Sequence, residues 1–175
     1  LGEVNLPHLI KEKLAVAREM TDKHEFMFEA GPDLPEALAD RDKLGQVIDN
    51  LLSNAIKYSP LGGKITVTAC RDPRQHRVII SVADQGIGIS PEDKDSLFTT
   101  FHRIQRPETQ SIRGSGLGLY IAKEWTVAMG GEIWLESQLN KGSTFYISLP
   151  AGESNPEKIT TEMIGMNDAE KNADS

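Results

Sequence analysis

Asn50, Asn54 and Lys57 are the residues whose types and spacing first invite a chemical reading. On a helix turning about 100° per residue they share one side with Gln46. Leu44, Val47, Ile48, Leu51, Leu52, Ala55 and Ile56 make a broad apolar stripe on the other side, which must cover a sheet. Asparagine is a poor interior helix former, because its side chain competes for the backbone. Two such amides one turn apart point to use of their carbonyl oxygens. Hard cations such as Mg²⁺ take oxygen ligands, often one or two from protein and the rest from phosphates and water, and Lys57 would compensate the phosphate charge. An ordinary solvated helix face is the competing reading, and the stripe alone does not separate the two.

Two glycine stretches add to this. "ADQGIGIS" sets Asp84 at the end of an expected strand, with Gly86 and Gly88 just beyond it. Glycine there permits close backbone approach to a ligand, and a carboxylate accepts from an exocyclic amine such as that of adenine. "GSGLGL", residues 114–119, fails the phosphate-loop pattern because no Gly-Lys-Ser/Thr follows. It fails the dinucleotide fingerprint because Leu119 stands where the last glycine belongs. What remains is a glycine-rich approach to a helix N-terminus, whose free N–H groups suit anions.

These residues need elements to hold them. Leu6, Leu9, Ile10, Leu14 and Ala17 recur at helical spacing, with Pro7 tolerated in the first turn. "HEFMFEA" reads as a short strand and "GPDLPEALAD" as a loop. A second helix is expected from about Arg41 to Tyr58, capped by Asp40 and stopped by Pro60, Gly62 and Gly63. "KITVTACR" and "HRVIISVAD", separated by "DPRQ", read as an antiparallel hairpin that ends at Asp84. From Gln85 to Ser115 periodicity fades, apart from a short helix within "PEDKDSLFTTF"; irregular stretches of this kind inside compact domains are usually functional or disordered. "LGLYIAKEWTVAMG" restores a helix, stopped by Gly130 and Gly131, and the strands "EIWLESQ" and "STFYISLP" follow, joined by "LNKG". Met20, Met27 and Met129 are expected in or near the core, and Trp125 and Trp134 as packing residues. The expected organisation is one domain over residues 1–150 and a flexible, polar tail over 151–175.

Composition narrows the function classes. At 175 residues and 38% hydrophobic, the chain can bury one good core. A net charge of −7 argues against a nucleic-acid binder, which needs a basic face to displace counterions. Cys70 is the only cysteine, so it forms no disulfide within the chain and sets up no zinc spacing, which fits a reduced, intracellular setting. No apolar run is long enough to span a bilayer, the start lacks the plan of a signal peptide, and Leu1 in place of Met hints at a piece of a longer chain.

In this order and with these separations, "QVIDNLLSNAIKYSP", "DQGIGIS", "LFTTFHRI", "GSGLGLYIA" and "GSTFYISLP" resemble the N, G1, F, G2 and G3 boxes of the catalytic and ATP-binding domain of sensor histidine kinases, members of the GHKL or Bergerat-fold superfamily. The resemblance covers roughly residues 3–150. It implies an α+β fold: a two-layer α/β sandwich in which a mixed, mainly antiparallel sheet packs on three helices, with a long lid over ATP. It also implies that Asn54 ligates Mg²⁺, with Asn50 at phosphate or metal-bound water. Lys57 would approach the phosphates and Tyr58 would lie against the nucleotide ring or ribose. Asp84 would bind the adenine amino group in a pocket shaped by Gly86 and Gly88. Phe98 and Phe101 would anchor the lid, and Arg103 would reach the γ-phosphate. Gly114, Gly116 and Gly118, with Leu119 beside them, would form the hinge and phosphate-facing turn, and Thr144 would stand in the adenine-side strand after Gly142. Asn50, Lys57 and Arg103 are the implied catalytic set; Arg106 and Arg113 receive no role.

Hydrolases of the gyrase and chaperone type on this fold resemble one another in a glutamate one turn before the first asparagine, where it deprotonates water. Gln46 stands there, and an amide cannot take that proton at neutral pH. The expected reaction is therefore transfer of the ATP γ-phosphoryl group to a histidine, whose neutral imidazole already carries a lone pair. His8 is followed by Leu9, and His24, His76 and His102 fall outside the context of the family's acceptor, an acidic neighbour with a proline a few residues on. The resemblance thus implies a phosphoacceptor and dimerisation hairpin upstream or on a partner chain, a response regulator, a homodimeric full-length protein and a cytoplasmic site of action, free or as the cytoplasmic part of a membrane-bound sensor. A nucleotide-binding regulatory module without transfer and an anti-sigma-type serine kinase on the same fold are the alternatives.

Overall fold

The computed structural model describes residues 1–99 and 116–153. In chain order its elements are β1 (Gly2–Val4), α1 (Leu6–Met20), β2 (His24–Ala30), β3 (Ala37–Ala39), α2 (Arg41–Lys57), β4 (Gly63–Asp72), β5 (Arg77–Asp84), α3 (Pro91–Lys94), α4 (Gly118–Ala128), β6 (Glu132–Gln138) and β7 (Gly142–Pro150). Alternation builds the main sheet: Ile65, Val67 and Ala69 of β4, Val78, Ile80 and Val82 of β5, and Phe145, Ile147 and Leu149 of β7 all lie on one buried face. The strand order is β2-β4-β5-β7-β6. Only the β2–β4 contact is parallel; the other three are antiparallel.

Helices α1, α2 and α4 supply the second layer. Leu6, Leu9, Ile10, Leu14 and Ala17 of α1 and Leu44, Val47, Ile48, Leu51, Leu52 and Ala55 of α2 are buried, as their spacing requires, while Ile56 is only half-buried. Each large aliphatic side chain so buried stabilises the fold by about 1.5–3 kcal/mol. Asp40 caps α2, its Oδ1 accepting from the Asp42 and Lys43 amides at 3.1 Å. The Lys43 amide in particular holds the Asp40 carboxyl below the ordinary aspartate range. α3 is a single turn capped by Ser90.

The structure departs from the sequence expectations in four places. The segment "GPDLPEALAD" contains β3, which pairs antiparallel with β1 in a separate two-stranded sheet; three-residue strands are too short to show a period. Met20 is 60% exposed at the end of α1, whereas Met129 is buried and Met27 half-buried. Backbone pairing continues past Pro150, where the Ala151 amide donates to the His76 carbonyl and the Gly152 amide to the Glu36 carbonyl. Thr144 faces away from the site expected for it, as the site's geometry shows below. Phe101, Arg103, Arg106, Arg113, Gly114 and most of the tail lie outside the described residues.

Candidate functional site

Asp84 is the last residue of β5 and pairs in register with Ser143, the second residue of β7. Alternation turns both inward, toward the helices, so the carboxylate is left only 8% exposed. The Gly86 amide donates to its Oδ1 at 2.8 Å, and the Ser143 amide also donates to it. Among the described residues no cation forms a salt bridge with it. Burial therefore outweighs the two amides and raises its pKa from 3.8 to about 6.

The loop after Asp84 is stitched down on both sides. On one side the Ile87 amide donates to the Tyr58 carbonyl at 2.9 Å, at the C-terminal cap of α2. A Cβ on Gly86 would overlap that same Tyr58 oxygen and crowd Asp84 Oδ1, so only glycine allows the loop to lie this close. On the other side the Asn140 amide donates to the Ile87 carbonyl at 2.7 Å, and the Ile89 amide to Ser137 Oγ at 2.8 Å. Gly88 packs directly on the Gln138 carbonyl. Ser137 is the junction of this stitching, since its Oγ also lies 2.9 Å from the Gly142 carbonyl and 2.9 Å from Ser143 Oγ. A cavity of about 330 Å³ opens beside Asp84, lined among others by Ser137, Gln138, Lys141, Ser143 and Thr144.

Thr144 borders this cavity, but its side chain is on the opposite face of the sheet, with Tyr146, whose hydroxyl donates to Glu136 at 3.1 Å. The hydroxyl that shares the face of Asp84 is that of Ser143. The signal for this was present in the sequence: Phe145, Ile147 and Leu149 point inward, so Ser143, and not Thr144, continues their row. Ser137 was equally missed, because a serine in an alternating strand carries no mark of its partners.

The polar face of α2 supplies the rest. Asn50 and Asn54 are half-buried and Lys57 is exposed. Asn50 Nδ2 donates to the Gly118 carbonyl at 3.2 Å, fastening α2 to the first turn of α4. Gly116, at φ 73°, makes the turn into that helix in a conformation that favours glycine, and Leu119 lies half-buried against the core. Tyr58 is half-buried at the α2 cap. The donor set suits a hard cation: the amide oxygens of Asn50 and Asn54 stand one turn apart, and the Asn54 side chain makes no hydrogen bond among the described residues. Those residues contain no cluster of three or more His, Cys, Asp or Glu that could hold a metal ion. No helix among them is long and apolar enough to cross a membrane.

The chain belongs to the histidine kinase-, DNA gyrase B- and HSP90-like ATPase family, whose pattern matches residues 39–153. Within that class it is of the sensor histidine kinase kind. It is 45% identical over 114 residues to the sensor histidine kinase WalK of Bacillus subtilis (strain 168), a match covering 65% of this chain and 19% of WalK. It is 40% identical over 126 residues to the adaptive-response sensory kinase SasA of Synechococcus sp. (strain JA-2-3B'a(2-13)), covering 72% of this chain and 33% of SasA. Its fold matches the mycobacterial sensor histidine kinase MprB with a TM-score of 0.75 at 30% identity, over 85% of this chain and 97% of that one. Full-length ShkA in complex with AMPPNP matches with a TM-score of 0.73 at 30% identity, over 89% of this chain and 32% of that one. The chain thus corresponds to a catalytic-domain portion of its curated relatives, 19% to 33% of their length.

Proposed function

We propose that this chain binds ATP with Mg²⁺ and transfers the γ-phosphoryl group to a histidine on a helical hairpin, carried elsewhere on the full-length protein or on its dimer partner. A response regulator then receives the phosphoryl group, in the cytoplasm. The observation that carries the reading is Asp84: a buried carboxylate at the end of β5, without a salt-bridged cation among the described residues, that borders a cavity of about 330 Å³. Its free acceptor sites take the exocyclic amine of adenine, and Ser143 adds a hydroxyl on the same face. Asn50, Asn54 and Lys57 serve the phosphates from α2, and the family resemblance assigns Arg103 and Gly114, outside the described residues, to the same task. When bound, Mg²⁺ supplies charge neutralisation at the phosphates, held by Asn54 with Asn50 beside it. Lys57 adds a compact positive charge to the same task. Gln46 is exposed and offers no base to a water molecule, so hydrolysis gains no help from that position. The acceptor imidazole has less need of one, because its neutral nitrogen attacks phosphorus directly while ADP departs with the electrons of the broken P–O bond and the other ring nitrogen gives up its proton to solvent.

Titration calorimetry with the non-hydrolysable analogue AMPPNP, with and without Mg²⁺, tests the pocket. Asn54→Ala is expected to abolish the Mg²⁺ dependence and lower affinity by about tenfold; unchanged Mg²⁺ dependence places the metal elsewhere. Adding an acceptor hairpin tests the transfer. The product is expected to be acid-labile, as phosphohistidine is, whereas an acid-stable product means a serine kinase and no product means a binding module.

A further inference from the structure

We propose that His24 is a positioning residue of the nucleotide site, a latch that holds the C-terminal cap of α2 and, through it, the loop that follows Asp84. The inference rests on the ATP-binding reading above.

His24 is the first residue of β2, and both of its ring nitrogens are engaged. Nδ1 lies 2.9 Å from Thr21 Oγ1, and Thr21 is the C-cap of α1. Nε2 lies 2.9 Å from the Ser59 carbonyl and 2.9 Å from Ser59 Oγ. A carbonyl can only accept, so Nε2 carries the hydrogen, while Nδ1 and the Thr21 hydroxyl share the second hydrogen bond. Ser59 is 2% exposed, and its own hydroxyl donates back to the Ala55 carbonyl inside α2. One imidazole therefore joins the end of α1, the start of β2 and the residue directly after the Tyr58 cap.

That cap is where the latch meets the site. The Tyr58 carbonyl accepts the Ile87 amide and packs against Gly86, two residues from Asp84. The end of the same turn is held a second time just before β2, since the amide of Gly63, the first residue of β4, donates to the Lys23 carbonyl at 3.2 Å. With Lys57 and Tyr58 on one side and Gly86 and Ile87 on the other, a shift at Ser59 is felt by both the phosphate side and the base side. A displacement of about 1 Å can cost a preorganised site on the order of a hundredfold.

The test uses the 175-residue chain and three variants. His24→Leu removes the donor, and His24→Gln restores an amide donor at similar reach. Arg77→Leu is the control for general destabilisation, because Arg77 also ties several elements together but at the far end of β5, about 23 Å away at about 3.3 Å per residue. His24→Leu is expected to weaken AMPPNP binding by about tenfold, His24→Gln to recover most of it, and Arg77→Leu to leave it within about twofold, all measured well below the melting temperature. Hydrogen exchange at the Ile87 amide reads the latch without nucleotide, and His24→Leu is expected to speed it by about tenfold relative to Arg77→Leu. Unchanged Ile87 exchange overturns the latch. Faster exchange with unchanged AMPPNP affinity makes His24 structural only, which also overturns it. If the unmodified chain binds no AMPPNP, the nucleotide reading fails, and with it the role of His24 in that site.

Discussion

The two ends of β5 carry opposite charges and treat them in opposite ways. At one end the Arg77 guanidinium is surrounded by acceptors: Nη2 donates to the Gly130 carbonyl at 2.9 Å and to Ser148 Oγ at 3.1 Å, and Nε to Ser148 Oγ at 3.3 Å. This closes the end of α4 against β7 and leaves the charge partly exposed. At the other end the Asp84 carboxylate is nearly buried and has two backbone amides but no salt-bridged cation among the described residues. The Arg77 end is satisfied within the fold. The Asp84 end keeps acceptor capacity beside a cavity at an electrostatic cost, the pattern of a recognition site.

Substitutions at the two ends can break that comparison. The largest effect is expected from Asp84→Ala, which should lower AMPPNP affinity by on the order of a hundredfold or more, the loss of a charge-assisted hydrogen bond in a dry pocket. Unchanged calorimetric affinity would sink the adenine assignment. The same residue sharpens the comparison through pH. Between the ordinary pKa of 3.8 and the folded value of about 6, the unfolded chain releases the Asp84 proton while the folded chain keeps it. The contribution of this group to stability is therefore fully present at low pH and lost as pH rises through about 6, by about 3 kcal/mol in total. Asp84→Asn escapes this loss, so urea unfolding should show the variant gaining on the parent by about that amount between pH 4 and pH 7.5. A gap that stays constant with pH would mean that Asp84 is not held protonated.

Arg77→Leu is expected to cost about 1–2 kcal/mol of unfolding free energy while AMPPNP affinity holds, because the hydrogen bonds lost are far from the cavity. Loss of affinity equal to that at Asp84 would erase the distinction between the ends. The smallest effect concerns the faces of β7: Ser143→Ala should weaken AMPPNP by roughly threefold and Thr144→Ala by less than about twofold. The reverse ranking would place the base on the other face of the sheet.

Much of the fold was legible because its causes are local. The two faces of α2, its Asp40 cap and its stop before Pro60 follow from spacing and side-chain chemistry within one element. The β4–β5 hairpin followed from alternation and a short polar turn. β1 and β3 were invisible because three residues carry no period and their partners are more than thirty positions apart. Thr144 was a misreading of a legible signal, one residue out of step with an inward row that Phe145 already marks.

By itself the sequence determined which chemical groups exist and in what order: two amides and an ammonium on one helix face, a carboxylate before a glycine loop, and a second glycine turn before a helix. Periodicity and caps are short-range properties, so they can be read without knowing the fold. Only the tertiary structure decided what surrounds each group. Asp84 became hard to ionise because β7, the loop after β5 and the helical layer exclude water from it together. Ser137 became the junction of three segments, Asn50 met Gly118 across 68 positions, and His24 came to bind Ser59 across 35. Burial and hydrogen-bond partnership are set by segments distant in the chain, and the folded arrangement alone brings them together.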